Sequence, residues 1–364
     1  MYQIEALFFD KLSSNLRDIW DSLLRKSFEP IFQYEFDLVA AWTEYLKMNW
    51  RPFLLIIREN EEPIGIFPLM YREEKRRRLL PFRRIKFLAA DNTDFSVILA
   101  EERNVEKVVK KSLDWLFSNN LRWELLILDD IVEGSPAVSS VSEWLESSPY
   151  HFDYYKFEGK YFFINLDRPW EEIKGEMNKD FVRRNTNLAR NRITRAGHWE
   201  VVSNPNWDAE TIIHKAARIH AKRQAELGRT SSYSDECSRN FIRSVIKVTE
   251  SRGYLRTYWL KFENNEIAYW IGFEVTNVFY AWNTAFDSKF AHFFPSKLLL
   301  FEIVKDCHRR KLKEFNFMRG ESDYKEKWTK TFRGNYRFVI KNKSHIYGKT
   351  IFFIERLMPR LSLS

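Results

Sequence analysis

The stretch Phe315–Thr329, FNFMRGESDYKEKWT, runs an apolar strand into Arg-Gly and then sets a phenol beside an ammonium, at Tyr324 and Lys325. EFNFM reads as core, Gly320 turns the chain, and SDYKEKW starts a short helix at the strand's C-terminal mouth, where ligands collect in α/β sheets. Ser322 or Asp323 can cap that helix, and Lys325 and Trp328, three apart, share a face. A phenol can supply a proton and an ammonium can steady a developing negative charge. The same residues also have a purely structural use, with Tyr324 and Trp328 as core aromatics and Lys325 snorkelling to water.

A second chemical feature precedes it in PSKLLLFEIVKDC. Pro295 suits a first helical turn, the amides of Ser296, Lys297 and Leu298 then point outward, and together with the helix dipole and the Lys297 charge they make an anion site. Asp287, in AFDSKF, is either a ligand carboxylate or an Asx turn. His220 and Arg223 share a helical face and can meet a ligand or simply pack. Arg183, Arg184, Arg190, Arg192 and Arg195 form a basic helical face, solvated or anion-binding.

These residues need elements to hold them. Apolar spacing predicts helices over Ser13–Ser27 and FDLVAAWTEYLKM, so that two helices open the chain. A strand, a polar turn at Asn60–Glu62 and a second strand follow, then strands at RIKFLAA and SVILA, a helix over NVEKVVKKSLDWLFSNN, and a buried strand in WELLILDDI. The second half repeats this order after the strand Lys160–Leu166. Helices fit WEEIKGEMNKDFVRRNTNLARNRITRAG, interrupted near Gly175 or Asn178, and DAETIIHKAARIHAKRQAEL. Three strands joined at Asn264–Asn265 and Thr276–Asn277, the helix at Pro295 and the strand EFNFM complete it. IIRENEEPIGIFPL against WLKFENNEIAYWIGF, about 204 residues apart, indicates a duplicated α/β unit.

Composition sets the bounds. The 364 residues exceed the usual size of one domain, and 45% hydrophobic with 31 Phe, 16 Tyr and 13 Trp excludes a disordered chain. A formal charge of +9 favours anionic partners. Cys237 and Cys307 have no spacing for a disulfide framework or a zinc site, and Gly-x-Ser-x-Gly, His-Glu-x-x-His and Gly-x-Gly-x-x-Gly are absent. The N-terminus lacks a signal-peptide pattern and no window reaches a membrane span, so the expectation is a soluble, cytoplasmic protein.

The segments IHAKRQAELG, YAWNTAFDSKFAHFFPSKLLLFEIVKDCHRRKLKEFNF and RGESDYKEKW, covering most of Leu166–Thr331, resemble the BioF-like acetyltransferase domain of the GNAT superfamily, the polysaccharide-biosynthesis type. More distantly they resemble the Fem-type peptidyltransferases, which carry paired GNAT-like domains. FLLIIRENEEPIGIFPLM and RIKFLAADNTDF look like a degenerate first copy. Two positions depart from the family: Ser296 stands where Gly is usual after the Pro, and Gln224 where Trp often follows His-x-x-Arg.

The resemblance implies an α/β (α+β) fold of two tandem GNAT-like domains, each a mixed, mostly antiparallel sheet flanked by helices. These are 1–155 (scaffold or acceptor wall, with Asn104 and Glu106 at its helix start opposing a pyrophosphate), 156–343 (acyltransferase) and a C-terminal amphipathic helix over 344–364 able to touch a membrane surface. It implies an acyl group moving from acetyl-CoA or another acyl-CoA to an amine, with no metal and no covalent enzyme intermediate. The acceptor would be an amino sugar or related nucleotide- or lipid-linked precursor in envelope or exopolysaccharide synthesis. Tyr324 would protonate the leaving thiolate, Lys325 would stabilise the oxyanion or hold an acyl or phosphate oxygen, and Asp287 would serve the amine. Gly272 and Phe273 would line the pantetheine arm between strands splaying at Ile267–Glu274 and Val278–Thr284, and Ser296, Lys297 and Leu298 would hold the pyrophosphate. His220, Arg223, Trp282, Asp323 and Trp328 would face the substrate. Two alternatives stand: a Fem-type transferase using aminoacyl-tRNA, whose usual helical-hairpin insertion is not visible between Trp170 and Tyr258, and a non-catalytic basic module for RNA or anionic polymer.

Overall fold

The structure is a computed structural model that describes residues 1–364 except 10–12, 29–30, 46–49, 75–81, 89–92, 321–322 and 343–364. The C-terminal helix expected over 344–364, most of the basic stretch 72–84 and the capping role of Ser322 lie outside the described residues. Two compact units form, Met1–Gly159 with the described residues from Gly334 on, and Lys160–Arg333.

In the first unit β1 (Tyr2–Phe8) precedes α1 (Arg17–Lys26) and α2 (Phe36–Glu44). The chain therefore opens on a strand, not on two helices: Tyr2, Ile4 and Ala6 alternate with polar residues and pair with β2 (Arg51–Glu59). β3 (Glu62–Glu74) and β4 (Phe82–Phe87) continue an antiparallel meander, with β5 (Leu99–Ala100) beside β3. α3 (Val105–Ser118) then leads to β6 (Leu125–Val132), parallel to β4. Eight consecutive buried residues in β6 fit a strand covered on both faces. α4 (Pro136–Ser147), capped by Ser135, was not legible as a separate element.

β7 (Phe152–Asn165) carries the chain into the second unit, so the boundary falls inside a strand. α5 (Trp170–Glu176) stops at Met177, and a single π turn over Lys179–Arg184, capped by Asn178, leads into α6 (Asn185–Ala196). β8 (Trp199–Ser203), α7 (Ala209–Glu226) and α8 (Glu236–Ser251) come next. β9 (Leu255–Phe262), β10 (Asn265–Val275) and β11 (Val278–Phe286) make a second antiparallel meander, α9 (Pro295–Arg309) follows, and β12 (Glu314–Asn316) lies parallel to β11. α10 (Lys325–Trp328) and β13 (Phe332–Asn342) end the described chain. Meander, helix, then a strand parallel to the meander's third strand thus occurs once in each unit. The expected second domain, 156–343, ends earlier than its sequence boundary: from Gly334 on, β13 pairs with β6 and belongs to the first unit.

The second unit has a core on each sheet face, because alternate strand residues point opposite ways. Tyr258, Leu260, Trp270 and Phe279 meet α5, α6 and α9, whereas Trp259, Tyr269 and Ile271 meet α7 and α8. The hairpin turns hold both central residues at positive φ: Asn60 50° and Glu61 72°, Glu263 46° and Asn264 65°, Thr276 51° and Asn277 64°. That is the I′ geometry whose twist suits the strands, and it puts the second turn one residue earlier than the expected Asn264–Asn265. Glu61 has no conformational reason to be there. Glu61→Gly should raise stability by about 1 kcal/mol, less the extra entropy of the unfolded glycine; an unchanged or lower melting temperature would contradict the strain.

Candidate active site

β11 and β12 pair only at Val278–Glu314, Phe279–Phe315 and Tyr280–Asn316, after which β12 ends and β11 runs on to Phe286. Two parallel strands therefore part at their C-terminal ends, and among the described residues no strand pairs with the last six residues of β11 on that side. β10 and β11, by contrast, stay paired from Ala268–Phe286 to Val275–Val278, so the splay expected between them is absent. What interrupts them is a bulge: Ile271 opposes Asn283 and Gly272 opposes Ala281, which leaves Trp282 unopposed. Gly272 serves that packing. A Cβ there would lie 2.5 Å from Phe279 Cζ and 2.5 Å from the Tyr280 carbonyl oxygen. Phe273 is buried and packs on the half-buried Trp282 at 5.2 Å between ring centroids.

α9 begins beside this gap. Phe294 takes a left-handed conformation (φ 50°) and its carbonyl accepts from both Lys297 N (3.1 Å) and Leu298 N (3.1 Å). Of the three amides expected to be free, only that of Ser296 remains so. Leu298 is fully buried. Lys297 Nζ lies 3.7 Å from the Phe181 ring centroid, a cation–π contact, and burial lowers its pKa. Phe181 belongs to the π turn, and Asn178 N, at the head of that turn, donates to Lys327 O of α10 at 2.8 Å. One irregular turn thus ties together the start of α9 and the helix that carries Tyr324 and Lys325, in keeping with the frequent placement of π turns at functional sites. Within the basic face, Arg190 pairs with Glu302, Arg192 donates to His292 O and Arg184 faces Asp180, while Arg183 keeps a buried Nε without a partner.

Lys325 does something other than expected. It is 5% exposed, and Nζ donates to Met318 O (2.9 Å) and Arg319 O (2.8 Å). The ammonium clasps the turn that Met318 (φ 57°) and Gly320 (φ 101°) make after β12. Two of its hydrogen bonds thus hold the backbone of that turn. Trp328, 2% exposed, is core, and Asp323 is exposed without capping α10, whose N-cap is Tyr324. Tyr324 packs at a T-shaped angle on Phe317, is 37% exposed, has no hydroxyl partner among the described residues, and has its pKa pushed up to about 12 by desolvation.

The opposite sheet face gathers the other candidates. Asp287 caps the turn Ser288–Phe293 and is ion-paired with Lys222; partial burial opposes ionisation, but the Lys222 hydrogen bond holds the carboxyl below its ordinary range. It is therefore an anchored anion and a poor proton acceptor. Arg223 lies 4.7 Å over Phe286 and 3.4 Å from Glu226. His220, 8% exposed, shares a 2.8 Å hydrogen bond between Nδ1 and Ser231 Oγ, and burial lowers its pKa. Beside it Tyr233 and Tyr269 both donate to Asn283 Oδ1, at 3.1 and 2.6 Å. Sequence reasoning missed Ser231, Tyr233, Tyr269 and Asn283.

A cleft of about 570 Å³ lies elsewhere in this unit, lined by Trp170, Tyr258, Glu302, Asp306, His308 and other residues. Asp306 is about 16 Å along α9 from Pro295 at 1.5 Å per residue. Its carboxylates are already paired, Glu302 with Arg190 and Asp306 with Tyr258, Arg309 and Arg310, and we do not place the chemistry there. Among the described residues no group of three or more His, Cys, Asp or Glu is placed to hold a metal ion, and no helix is long and apolar enough to cross a membrane.

Residues 181–326 match the acetyltransferase (GNAT) domain model. The matched segment lies inside the second unit and contains the parting of β11 and β12, the start of α9 and Tyr324. No curated protein sequence matches the chain. Among solved structures, FemX superposes with a TM-score of 0.58 at 10% identity, covering 96% of this chain and 99% of its own. A conserved protein of unknown function from Bacteroides thetaiotaomicron gives 0.53 at 9%, covering 93% and 100%. The C-terminal domain assigned to a lysylphosphatidylglycerol synthetase of Agrobacterium fabrum gives 0.53 at 11%, covering 95% and 96%. At such identities the likeness is one of fold.

Two outcomes follow. Lys325→Met strips two interior carbonyls of their donor, which costs about 1–3 kcal/mol for each group left unsatisfied; the melting temperature should fall, and a variant as stable as wild type would return Lys325 to the list of reactive groups. His220 titrates below its ordinary 6.5 in the fold, so the unfolded chain takes up this proton first. Its contribution is complete above pH 6.5 and is lost as pH falls through the depressed value. His220→Gln should therefore flatten the decline in melting temperature between about pH 7 and 5, and an identical decline in both proteins would refute the assignment.

Proposed function

We propose that the second unit is an N-acyltransferase that moves an acyl group from an acyl-CoA to an amine by direct attack. The observation that carries this reading is the parting of β11 from β12 within the matched acetyltransferase segment, with a helix start on one side and an unpartnered, protonated phenol at the mouth. The amine nitrogen attacks the thioester carbonyl carbon, the C–N bond forms, the C–S bond breaks, the sulfur takes its proton from Tyr324, and the proton that the acylated nitrogen sheds passes through water to restore the Tyr324 phenol. No protein nucleophile is needed. The donor's pyrophosphate meets the Ser296 amide, the dipole of α9 and the Lys297 charge, with no acid in the helix's first turn. The first unit acts as scaffold or acceptor wall: its corresponding helix, α3, carries Glu106 in the first turn, which opposes an anion. The acceptor is an amino sugar or related precursor of envelope or exopolysaccharide synthesis, and the reaction takes place in the cytoplasm.

A second reading takes the acyl group from aminoacyl-tRNA, and the fold likeness to FemX over both units favours it. Against it, α7 and α8, the two longest helices between Trp170 and Tyr258, bury Ile212, Ala216, Ile242 and Ile246 against the sheet. They do not form a free-standing hairpin of the kind that branch uses to hold tRNA.

Thermal shift with acetyl-CoA and with aminoacyl-tRNA separates the two donors. Tyr324→Phe deletes a hydroxyl that has no partner among the described residues, so stability should stay within about 0.5 kcal/mol while turnover at saturating acyl-CoA falls about 10²–10³-fold. Wild-type turnover in this variant would remove Tyr324 from the chemistry, and loss of turnover with an equal loss of melting temperature would make it structural.

A further inference from the structure

We infer that Asn283 selects the acceptor, by donating hydrogen bonds from its amide to an oxygen carried next to the attacking amine; this rests on the acyl-transfer reading above. Tyr233 and Tyr269 donate to the same Oδ1, at 3.1 and 2.6 Å. Burial raises both phenol pKa values far above neutrality, so both hydrogens are present at any physiological pH. An amide oxygen has two lone pairs, and here both are occupied. Turning the amide over would place its NH₂ where the oxygen is now and leave a buried phenol hydrogen without an acceptor, because of the two neighbouring hydroxyls of Tyr233 and Tyr269 only one can donate to the other.

The Nδ2 group consequently points away from the tyrosines, and it has no partner among the described residues. Its position is one residue past the bulge at Trp282, on the part of β11 that no longer has β12 beside it. Asn283 stands opposite Ile271, whose side chain packs with α7 and α8, so it belongs to that face and not to the α9 face where the donor's pyrophosphate is placed. Two aligned N–H donors with no acceptor function call for a ligand oxygen: a hydroxyl, carbonyl or carboxylate. Next to a reacting amine this describes amino alcohols, amino sugars and amino acids, and it disfavours plain alkylamines.

The test gives the full-length protein acetyl-CoA and primary amines in pairs, with and without an oxygen on the adjoining carbon: glucosamine with cyclohexylamine, and serine with propylamine. Products are quantified by mass spectrometry. The oxygenated member should be favoured by about tenfold or more in kcat/KM, the scale of one hydrogen bond. In Asn283→Asp the carboxylate still accepts from both tyrosines but offers no N–H, and the preference should fall to about unity or invert. Equal use of both members by wild type, or an unchanged preference in Asn283→Asp, overturns this assignment and leaves acyl transfer standing. Absence of product from every amine overturns both.

Discussion

One extra residue in β11 governs the site. Phe279 and Ala281 pack with α9, yet Ala285, an even number of positions further on, packs with α7 and α8. Strand alternation forbids this unless a residue is inserted, and Trp282 is that residue. Without the bulge Asn283 would oppose Trp270 and face α9; with it, Asn283 meets Tyr233 and Tyr269. Gly272 is the other half of the device, since a side chain at that position would collide with Phe279 and the Tyr280 carbonyl.

Charge next to β12 helps to shape the backbone there. Lys325 holds the turn after β12, and Glu314 takes Arg333 in a bidentate pair at 2.8 and 2.6 Å while accepting from Asn316 Nδ2. Asn316 in turn accepts from Met318 N at 2.8 Å. The β12 mouth is therefore rigid before any ligand arrives, which is what a group such as Tyr324 needs if it is to act at a fixed point. A basic, conspicuous lysine thus binds backbone carbonyls, while the amide nitrogen of an unremarkable asparagine, Asn283, has no partner among the described residues.

The sequence was legible where periodicity and turn chemistry are local. The meander β9–β11, the Pro-started α9 and the break at Asn178 can all be read from residue spacing, and the repeated order of elements announces the duplication. β1 and β13 were not, because a strand such as FRGNYRFVIKN mixes Arg, Gly and Asn into its alternation. The polar cluster was hidden for a deeper reason. Counting back from the Thr276–Asn277 turn puts Asn283 on the α9 face, and only the bulge, a tertiary event, moves it. Ser231 and Tyr233 sit in the loop between α7 and α8, where no period exists to place them.

Desolvation and ion pairing together favour the protonation states that the proposed chemistry requires. Tyr324, Tyr233 and Tyr269 keep their protons, His220 is held toward neutrality, and Asp287 stays ionised against Lys222. The set offers hydrogen-bond donors and one anchored anion, and its only neutral base is tied to Ser231. An acceptor amine in such a site has to arrive as the free base, or lose its proton to water, before it can attack. In the proposed reaction catalysis then rests on alignment and on protonation of the leaving sulfur, the division of labour expected if the irregular turn joins the helix proposed to meet the donor to the residue proposed as the acid.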